Sequence, residues 1–299
     1  MRVALIINPR AGGNRGIRAA ARAQVEFAKA GWEVAARLTG APGDAVRLAR
    51  EAADEGFDAV LACGGDGTLS QVLMGLLDTG IPAGVIPAGT GNDFARTIGL
   101  SRRPATAARQ LIRGQVADID LLEVNDGQLW SVNLVGVGFD AQVTLHMNGH
   151  RPVTGGLLPY LAGVMRELIV YRPTELRLRV DDEEWQGQVF LVVVANARSY
   201  GAGMKIAPLA EIDDGLLDVV LVEHITRTEV VRNFPKVLRG THLSHPAVRM
   251  WKAKEVTIEA LDEPGHVLVD GDILCQTPVH VRVSKGRAKL LMPGPLGPT

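Results

Sequence analysis

The sequence is poor in cysteine, in aromatic side chains and in net charge, and each scarcity excludes a class of protein. Cys63 and Cys275 are the only cysteines in 299 residues, too few for a disulfide framework, which indicates a reducing compartment. Aromatic residues make up 4%, and 32 basic against 33 acidic residues leave a formal net charge of -1. Neither a base-stacking platform nor a strongly basic nucleic-acid binder fits this composition, so we expect no nucleic-acid partner.

Long apolar runs are also missing. The N-terminal run in MRVALIINPRAGG is too short for a signal peptide. The longest uncharged apolar run of the second half, Val189–Ala195, is far below the ~20 residues of a membrane span. What remains is an ordinary globular balance, with 46% apolar and 22% charged residues. We therefore predict a soluble, cytoplasmic protein whose length suits two domains.

The first 125 residues alternate strand and helix signals. Short apolar runs end at glycine or proline, and amphipathic stretches such as the one that begins at Leu69 follow them. This alternation predicts a Rossmann-like or flavodoxin-like α/β domain over 1–125, with a parallel sheet covered by helices on both faces. The predicted strands are 3–8, 32–38, 59–62 and 84–86, and the predicted helices are 17–30, 44–55, one from 69, and 105–113.

The second half is β-rich, with turn residues between its apolar runs. This pattern predicts a largely antiparallel β domain over 126–287, with a boundary near 123–128 where Asn125-Asp126-Gly127 is a turn signal. Two helices are predicted, 157–170 and 228–238, the second interrupted by Pro235. A last strand, 288–292, is predicted to return to the first domain, which 288–299 would then complete.

The segment Gly64–Thr68, with the sequence GGDGT, carries the strongest chemical signal. It follows a buried strand and opens a helix, so its glycines allow a close backbone approach and its free N–H groups favour an anion such as phosphate. Asp66 would repel a phosphate unless a cation lay between them, which indicates a nucleotide with Mg²⁺. The alternative is a tight turn with an aspartate cap.

Two further loops follow neighbouring strands. PAGTGNDFA, from Pro87 to Ala95, is a second glycine-rich turn with a hydroxyl, an amide and a carboxylate, and NPRAGG, from Asn8 to Gly13, follows the first strand. Open α/β sheets bind ligands at the carboxyl ends of their strands. Three such loops at one sheet edge therefore predict a binding site there.

NPRAGG, GGDGT and PAGTGNDFA, in this order and spacing, resemble the diacylglycerol kinase catalytic family, which includes bacterial soluble lipid kinases, sphingosine kinases and ceramide kinases. The resemblance extends over nearly the whole chain, through Asn133 and the segments 136–140, 203–208, 214–215 and 270–272. It implies an ATP-binding α/β domain, a β-sandwich domain and an active site in the cleft between them. It also implies an ATP- and Mg²⁺-dependent lipid kinase that transfers the γ-phosphate to a lipid hydroxyl.

The resemblance assigns roles in the first domain. Asp66 and Asp93 would help to hold the Mg²⁺ network, and Asp66 would belong to the catalytic machinery. The positions that match nucleotide-contacting residues of the family are Asn8, Pro9, Arg10, Ala11, Gly12, Thr39, Gly64, Gly65, Asp66, Gly67, Thr68, Thr90, Asn92 and Asp93.

A metal site is implied in the second domain. Asp214 matches a metal-binding carboxylate, and the backbone carbonyls of Glu211 and Leu216 match its companions in a site that is structural in bacterial members. A hard cation accepts such an all-oxygen set. Without the resemblance, Asp213-Asp214-Gly215 reads equally well as a hairpin turn.

Asp270-Gly271-Asp272 matches the family's DGE motif, which carries the general base. Transfer from ATP needs a carboxylate to accept the proton of the acceptor hydroxyl. Here Asp272 replaces the glutamate and is one methylene shorter, so both Asp270 and Asp272 remain candidates for the base. The alternative is again a hairpin turn.

The acceptor and the route to it stay open. Segments 146–160 and 228–238 are candidates for transient contact with a membrane surface, and ordinary packing is their alternative. Diacylglycerol or a related glycerolipid is the expected acceptor, and the resemblance leaves room for a homodimer. The rival functions are an NAD kinase, which shares the GGDGT loop, and a nucleotide-binding lipid regulator without catalysis.

Overall fold

A computed structural model describes residues 1–149, 157–201 and 203–295. The chain forms two compact units. The first consists of Met1–Asp120, Gly201–Gly203 and Gly286–Thr299. The second consists of Leu121–Tyr200 and Met204–Lys285.

The first unit is an α/β domain, as predicted. Four parallel strands lie in the order β4 (Ala83–Pro87), β3 (Ala59–Gly64), β1 (Arg2–Ile7) and β2 (Glu33–Leu38). The last residues of β15 (Val279–Met292) extend the sheet beside β4, where Leu290 pairs with Ala83. The elements are β1 (Arg2–Ile7), α1 (Ala11–Asn14), α2 (Gly16–Lys29), β2 (Glu33–Leu38), α3 (Asp44–Asp54), β3 (Ala59–Gly64), α4 (Asp66–Leu76), β4 (Ala83–Pro87), α5 (Asp93–Thr97) and α6 (Pro104–Ile112).

Burial explains the sequence pattern of this unit. Strands β3 and β4 are buried along their whole length, so they read as continuous apolar runs, whereas the edge strand β2 is half exposed and reads as mixed. Helix α3 buries Ala45, Leu48, Ala49 and Ala52, which recur at helical spacing. The parallel strands thus bring the ends of β1, β3 and β4 to one edge of the sheet.

The second unit is built mainly from antiparallel strands. They pair in the order β14-β13-β7-β9-β8-β12-β15, and β9 also pairs with β10, which pairs with β11. The elements are β5 (Gln115–Val124), β6 (Leu129–Ser131), β7 (Leu134–Gly138), α7 (Phe139–Gly149), α8 (Leu157–Val170), β8 (Thr174–Val180), β9 (Glu183–Ala195), β10 (Leu217–Glu223), α9 (Arg227–Arg239), a 3₁₀ turn (His242–Ser244), β11 (Val248–Ala253), β12 (Glu255–Ala260), β13 (His266–Val269), β14 (Asp272–Gln276) and β15 (Val279–Met292).

Strand β9 separates two hydrophobic cores. Val192 and Val194 face a core made of strand residues, while Val193 and Ala195 face a second core to which helices α7 and α8 contribute Phe139 and other side chains. Because alternate side chains of a strand point to opposite faces, a strand covered on both faces is apolar throughout. This accounts for the run Val189–Ala195.

Two helices differ from the sequence prediction. Helix α7 follows β7 directly, although the pattern there predicted no helix. Helix α9 continues through Pro235, which had been expected to interrupt it, and begins at a complete capping box formed by Thr226 and Glu229. In that box the Thr226 hydroxyl accepts from the Glu229 N–H and the Glu229 carboxylate accepts from the Thr226 N–H. These bonds stabilise the first turn of the helix and so help to offset the hydrogen bond that Pro235 cannot donate.

Candidate active site

The three glycine-containing loops of the first unit pack against one another. The Asn8 side-chain amide donates to the Thr68 hydroxyl over 3.4 Å, which joins the first loop to the GGDGT loop. A Cβ added at Gly89 would lie 2.5 Å from the Cα of Gly65, and one added at Gly12 would overlap the Ala88 carbonyl oxygen. The loops therefore form one surface at the ends of β1, β3 and β4, and glycine is required where their backbones meet.

Asp66 ties the second loop to the third. Its carboxylate accepts hydrogen bonds from the backbone N–H of Asp93 at 3.1 Å and of Phe94 at 2.9 Å. These N–H groups open helix α5, so Asp66 satisfies donors that have no partner within the helix. Asp93 is itself buried and receives the Arg96 guanidinium at 3.2 Å. The structure thus brings Asp66 and Asp93 together, and their role in a Mg²⁺ network stays a prediction.

The other predicted nucleotide residues occupy the same sheet edge. The Asn8 side chain accepts from the Arg10 N–H at 3.0 Å, which shapes the turn that contains Pro9. Thr39 follows β2 and its N–H donates to Ile7 at 2.9 Å. Asn92 exchanges two 2.9 Å hydrogen bonds with Gly89, which closes the third loop. The exposed side chain of Thr90 and the open space around Gly67 lie next to these packed loops.

Gly12 and Gly13 provide a matched test of the loop packing. Both have positive φ, +55° and +74°, but only Gly12 abuts another loop, while an added Cβ at Gly13 meets nothing within 4 Å. We expect Gly12→Ala to lower the free energy of unfolding by about 2–4 kcal/mol, and Gly13→Ala by only about 1–2 kcal/mol. Urea denaturation of both variants measures the difference, and equal losses would show that the two loops do not pack closely.

The motif Asp270-Gly271-Asp272 forms the two-residue turn of the hairpin β13–β14. Val269 pairs with Asp272 across it, and Asp270 and Gly271 both have positive φ, +48° and +100°. Such turns favour residues that tolerate left-handed backbone, and Asp-Gly is a preferred pair. The backbone of this motif is therefore the hairpin turn that the sequence offered as an alternative. Whether either residue can act as a general base depends on what surrounds its carboxylate.

The Asp270 carboxylate is held by four hydrogen-bond donors. Its Oδ1 accepts from the Ser131 hydroxyl at 2.6 Å and from the backbone N–H groups of Asn133 at 2.9 Å and Leu134 at 3.2 Å, and its Oδ2 accepts from the Val132 N–H at 2.9 Å. These four bonds engage both oxygens of the carboxylate. Asp270 thereby fixes the chain between β6 and β7 against the hairpin turn.

Asp272 differs from its neighbour. Its side chain is exposed at the start of β14, and among the residues that the structure describes no hydrogen bond or ion pair reaches its carboxylate. A general base needs a lone pair that is free to receive a proton. The geometry therefore favours Asp272 over Asp270 for that role.

Asp214, one of the three predicted metal residues, contacts an ammonium group. The Asp214 carboxylate contacts Lys252 Nζ at 2.6 Å and accepts from the Leu216 N–H at 3.0 Å, and the buried Asp218 lies 3.8 Å from the same Nζ. Burial raises the pKa of Asp218 to about 6, and neither of its oxygens has a hydrogen-bond partner. With Lys252 in this position, the carboxylates of Asp214 and Asp218 already face a cation, so Asp214 would have to exchange this partner in order to bind a divalent metal. The site of Glu211, Asp214 and Leu216 stays a prediction.

Asp140 is a buried carboxyl to which the sequence assigned no role. It lies in the first turn of α7, with one oxygen accepting the Ala141 N–H at 2.8 Å and the other without a partner. Burial raises its pKa to about 7. A Cβ on Gly136 would collide with this carboxyl, so the glycine makes room for it. The sequence analysis noted the segment 136–140 as part of the resemblance, but no local pattern indicated that the Asp140 carboxyl is buried.

Of the two segments expected to contact a membrane surface, the structure describes one completely and the other in part. Of 146–160, residues 150–156 lie outside the described residues. Segment 228–238 lies within α9, which buries none of its side chains fully and ends with Lys236 and Arg239 in its last turn. None of the helices in the described part of the chain is long and apolar enough to cross a membrane.

Comparisons with known proteins cover both units. Residues 2–124 match the diacylglycerol kinase catalytic domain, and residues 133–292 match the YegS C-terminal NAD kinase beta sandwich-like domain. A diacylglycerol kinase of Mycobacterium tuberculosis is 35% identical over 298 residues, covering 98% of this chain and 95% of that protein. A diacylglycerol kinase of Bacillus subtilis is 32% identical, covering 97% and 99%.

The fold agrees with these sequence matches. A crystal structure of a diacylglycerol kinase from Bacillus anthracis superposes with a TM-score of 0.76 at 23% identity, covering 97% of this chain and 96% of that one. A Pseudomonas aeruginosa protein named probable lipid kinase YegS-like is 34% identical, covering 98% and 94%. Because relatives above 30% identity span nearly the whole chain, and two family models account for both units, the chain belongs to the diacylglycerol kinase family of lipid kinases.

Proposed function

We propose that the protein is an ATP- and Mg²⁺-dependent lipid kinase that transfers the γ-phosphate of ATP to the hydroxyl of diacylglycerol or a related glycerolipid. The observation that carries the proposal is the mutual packing of the three loops at the ends of β1, β3 and β4. This edge is where parallel α/β sheets bind phosphorylated ligands. The relatives named diacylglycerol kinase support the choice of acceptor.

The first unit would hold the nucleotide. Gly64, Gly65 and Gly67 let the backbone approach the phosphates, and the N-terminus of α4 directs N–H groups toward them. The remaining proposed contacts are Asn8, Pro9, Arg10, Ala11, Gly12, Thr39, Thr68, Thr90 and Asn92. A magnesium ion that arrived with ATP would neutralise charge on the phosphates, and Asp66 and Asp93 are the carboxylates beside these loops.

In the second unit, Asp272 would accept the proton of the lipid hydroxyl. Within residues 1–149, 157–201 and 203–295 nothing contacts its exposed carboxylate, whereas Asp270 would hold the turn on which Asp272 lies. Proton acceptance by a positioned carboxylate would leave the lipid oxygen free to attack the γ-phosphorus, while the bond between that phosphorus and the β,γ-bridging oxygen breaks and ADP leaves. The lipid would be met at a membrane surface by a cytoplasmic, peripherally associated enzyme, and a homodimer is compatible with this role.

An acceptor panel tests the proposal. Purified protein, [γ-³²P]ATP and Mg²⁺ are incubated with mixed micelles of diacylglycerol, phosphatidylglycerol or a sphingoid base, and separately with NAD. We expect the label in the diacylglycerol product. Label in NADP would replace the proposal by an NAD kinase, and ATP binding without transfer to any acceptor would favour a non-catalytic nucleotide-binding regulator.

A further inference from the structure

The turn Asp214-Gly215-Leu216, for which the resemblance implies a metal ion, is closed by its own side chain and by a lysine. Asp214 Oδ1 accepts the Leu216 N–H at 3.0 Å, and Asp214 Oδ2 contacts Lys252 Nζ at 2.6 Å. Both oxygens of the carboxylate are therefore engaged. The contact with Lys252 is a direct charge-assisted hydrogen bond, so no ion can lie between the two groups.

The pairing of β10 and β11 fixes Lys252 in this position. Asp218 lies directly opposite Lys252 in the antiparallel register, and its carboxylate lies 3.8 Å from Nζ. Side chains of directly opposite residues lie on the same face of a sheet. One ammonium therefore faces two carboxylates, that of Asp218 on the strand and that of Asp214 in the preceding turn.

Asp218 needs a cation close to it. The residue is fully buried, and neither of its oxygens accepts a hydrogen bond from the residues that the structure describes. A carboxylate in such surroundings is costly to ionise unless an opposite charge lies nearby. Lys252, whose side chain is 37% exposed, provides that charge from the solvent side.

The surrounding side chains carry charges of both signs. Arg198 and Glu211 lie close enough to act electrostatically on Asp218. A Cβ added at Gly215 would lie 3.4 Å from Lys285 Nζ, so a second ammonium lies against the turn. Three basic side chains thus match three acidic ones: Lys252, Arg198 and Lys285 against Asp214, Asp218 and Glu211. The charge of this cluster is balanced by the chain itself.

We propose that the Lys252 ammonium takes the place of a divalent cation at this turn, so that the second unit holds its fold without a bound metal. An ammonium is a compact charge with three donors, which can serve two carboxylates at once. A divalent ion would have to displace it from Asp214. The Mg²⁺ of the proposed reaction would then be solely the ion that arrives with ATP at the loops of the first unit.

Substitutions in the full chain separate the two cations. Lys252→Met removes the ammonium and keeps an unbranched side chain, whereas Lys252→Arg keeps the positive charge. Lys254→Met removes the same charge from an exposed position two residues further on and is the control. Asp214→Asn, alone and combined with Lys252→Met, removes the carboxylate that either cation would use.

Thermal unfolding without nucleotide, in excess EDTA and in millimolar Mg²⁺, is the first measurement. We expect wild type, Lys252→Arg and Lys254→Met to unfold within about 1 °C of the same temperature in both buffers. Lys252→Met should unfold at least about 3 °C lower in EDTA, because two carboxylates lose their partner. Mg²⁺ should raise that temperature again, but not in Lys252→Met/Asp214→Asn, since the ion then finds one carboxylate fewer.

Counting of bound Mn²⁺ by electron paramagnetic resonance, again without nucleotide, is the second measurement. Lys252→Met should bind one ion more than wild type, and Lys252→Met/Asp214→Asn should lose it. The proposal is overturned if EDTA lowers the unfolding temperature of wild type by at least about 3 °C and Asp214→Asn abolishes that response, because wild type then holds a divalent ion here. It is equally overturned if Lys252→Met unfolds as Lys254→Met does and binds no additional Mn²⁺.

The wild-type comparison between EDTA and Mg²⁺ needs no substitution, so it decides the question even if Lys252→Met does not fold. Neither measurement involves ATP or a lipid. A protein that failed the acceptor panel but showed the expected metal responses would contradict the proposed function and leave the role of Lys252 standing.

Discussion

Replacing Asp272 by asparagine is expected to slow phosphate transfer by a factor of about 10²–10⁴, because the amide cannot accept the hydroxyl proton. The free energy of unfolding should stay within about 0.5 kcal/mol of wild type, since the side chain is exposed and without a described partner. Asp272→Glu keeps a carboxylate and restores the family's DGE pattern, so it should retain activity. Steady-state kinetics at saturating ATP, beside urea denaturation, measure both quantities.

Asp270→Asn is the matched comparison. For this variant we expect a loss of stability, whereas for Asp272→Asn we expect a loss of activity at unchanged stability. Asparagine tolerates the positive φ of this turn, so the backbone is not the cause of any loss. Asparagine keeps one accepting oxygen and replaces the other by an NH₂ group. Depending on which oxygen is replaced, either the Val132 N–H or the Ser131 hydroxyl loses its acceptor, and the loss of stability should be about 1–3 kcal/mol. An Asp270→Asn protein with wild-type stability and no activity, beside an active Asp272→Asn, would move the base to Asp270.

The second large effect concerns pH and the buried Asp140. Burial disfavours the charged form and raises the pKa of the Asp140 carboxyl to about 7 in the folded chain, from its ordinary value of 3.8. Between these values the native state holds a proton that the unfolded state has lost, so stability falls as pH rises from about 4 to about 7. We expect the free energy of unfolding to fall over this window, relative to Asp140→Asn, by on the order of 4 kcal/mol.

The variant isolates this contribution because asparagine stays neutral at every pH. Denaturation of wild type and Asp140→Asn at several pH values between 4 and 8 gives the difference directly, and exposed Asp54→Asn serves as a control for loss of an aspartate. A difference between wild type and Asp140→Asn that does not change with pH would show that Asp140 is ionised in the folded protein.

Local sequence features were sufficient to predict that the three glycine-containing loops lie at one edge of the sheet in the first unit. Buried parallel strands are apolar along their whole length, so each strand and its end can be recognised in the sequence. Glycine is needed where the loops that follow these strands approach one another, so Gly64–Thr68 and its neighbouring loops could be recognised from the sequence alone. The antiparallel character of the second half was equally visible in its short β-rich runs. Helix α7 was missed because β7 passes into it without an intervening loop.

Interactions between distant residues could not be predicted in this way. Ser131 and Asp270 are 139 positions apart in the sequence. No local pattern around either residue therefore predicts that the Asp270 carboxylate binds the segment that contains Ser131. Likewise Lys252 meets Asp214 and Asp218 only because β10 and β11 pair, with Asp218 opposite Lys252.

The central claim is phosphate transfer from ATP to a glycerolipid, and the most direct measurement is transfer of labelled γ-phosphate to diacylglycerol in mixed micelles with Mg²⁺. The account predicts labelled lipid phosphate with wild type and at least a hundredfold less with Asp272→Asn, in a protein of unchanged stability. ATP binding with no label in diacylglycerol or any other lipid of the panel would contradict it.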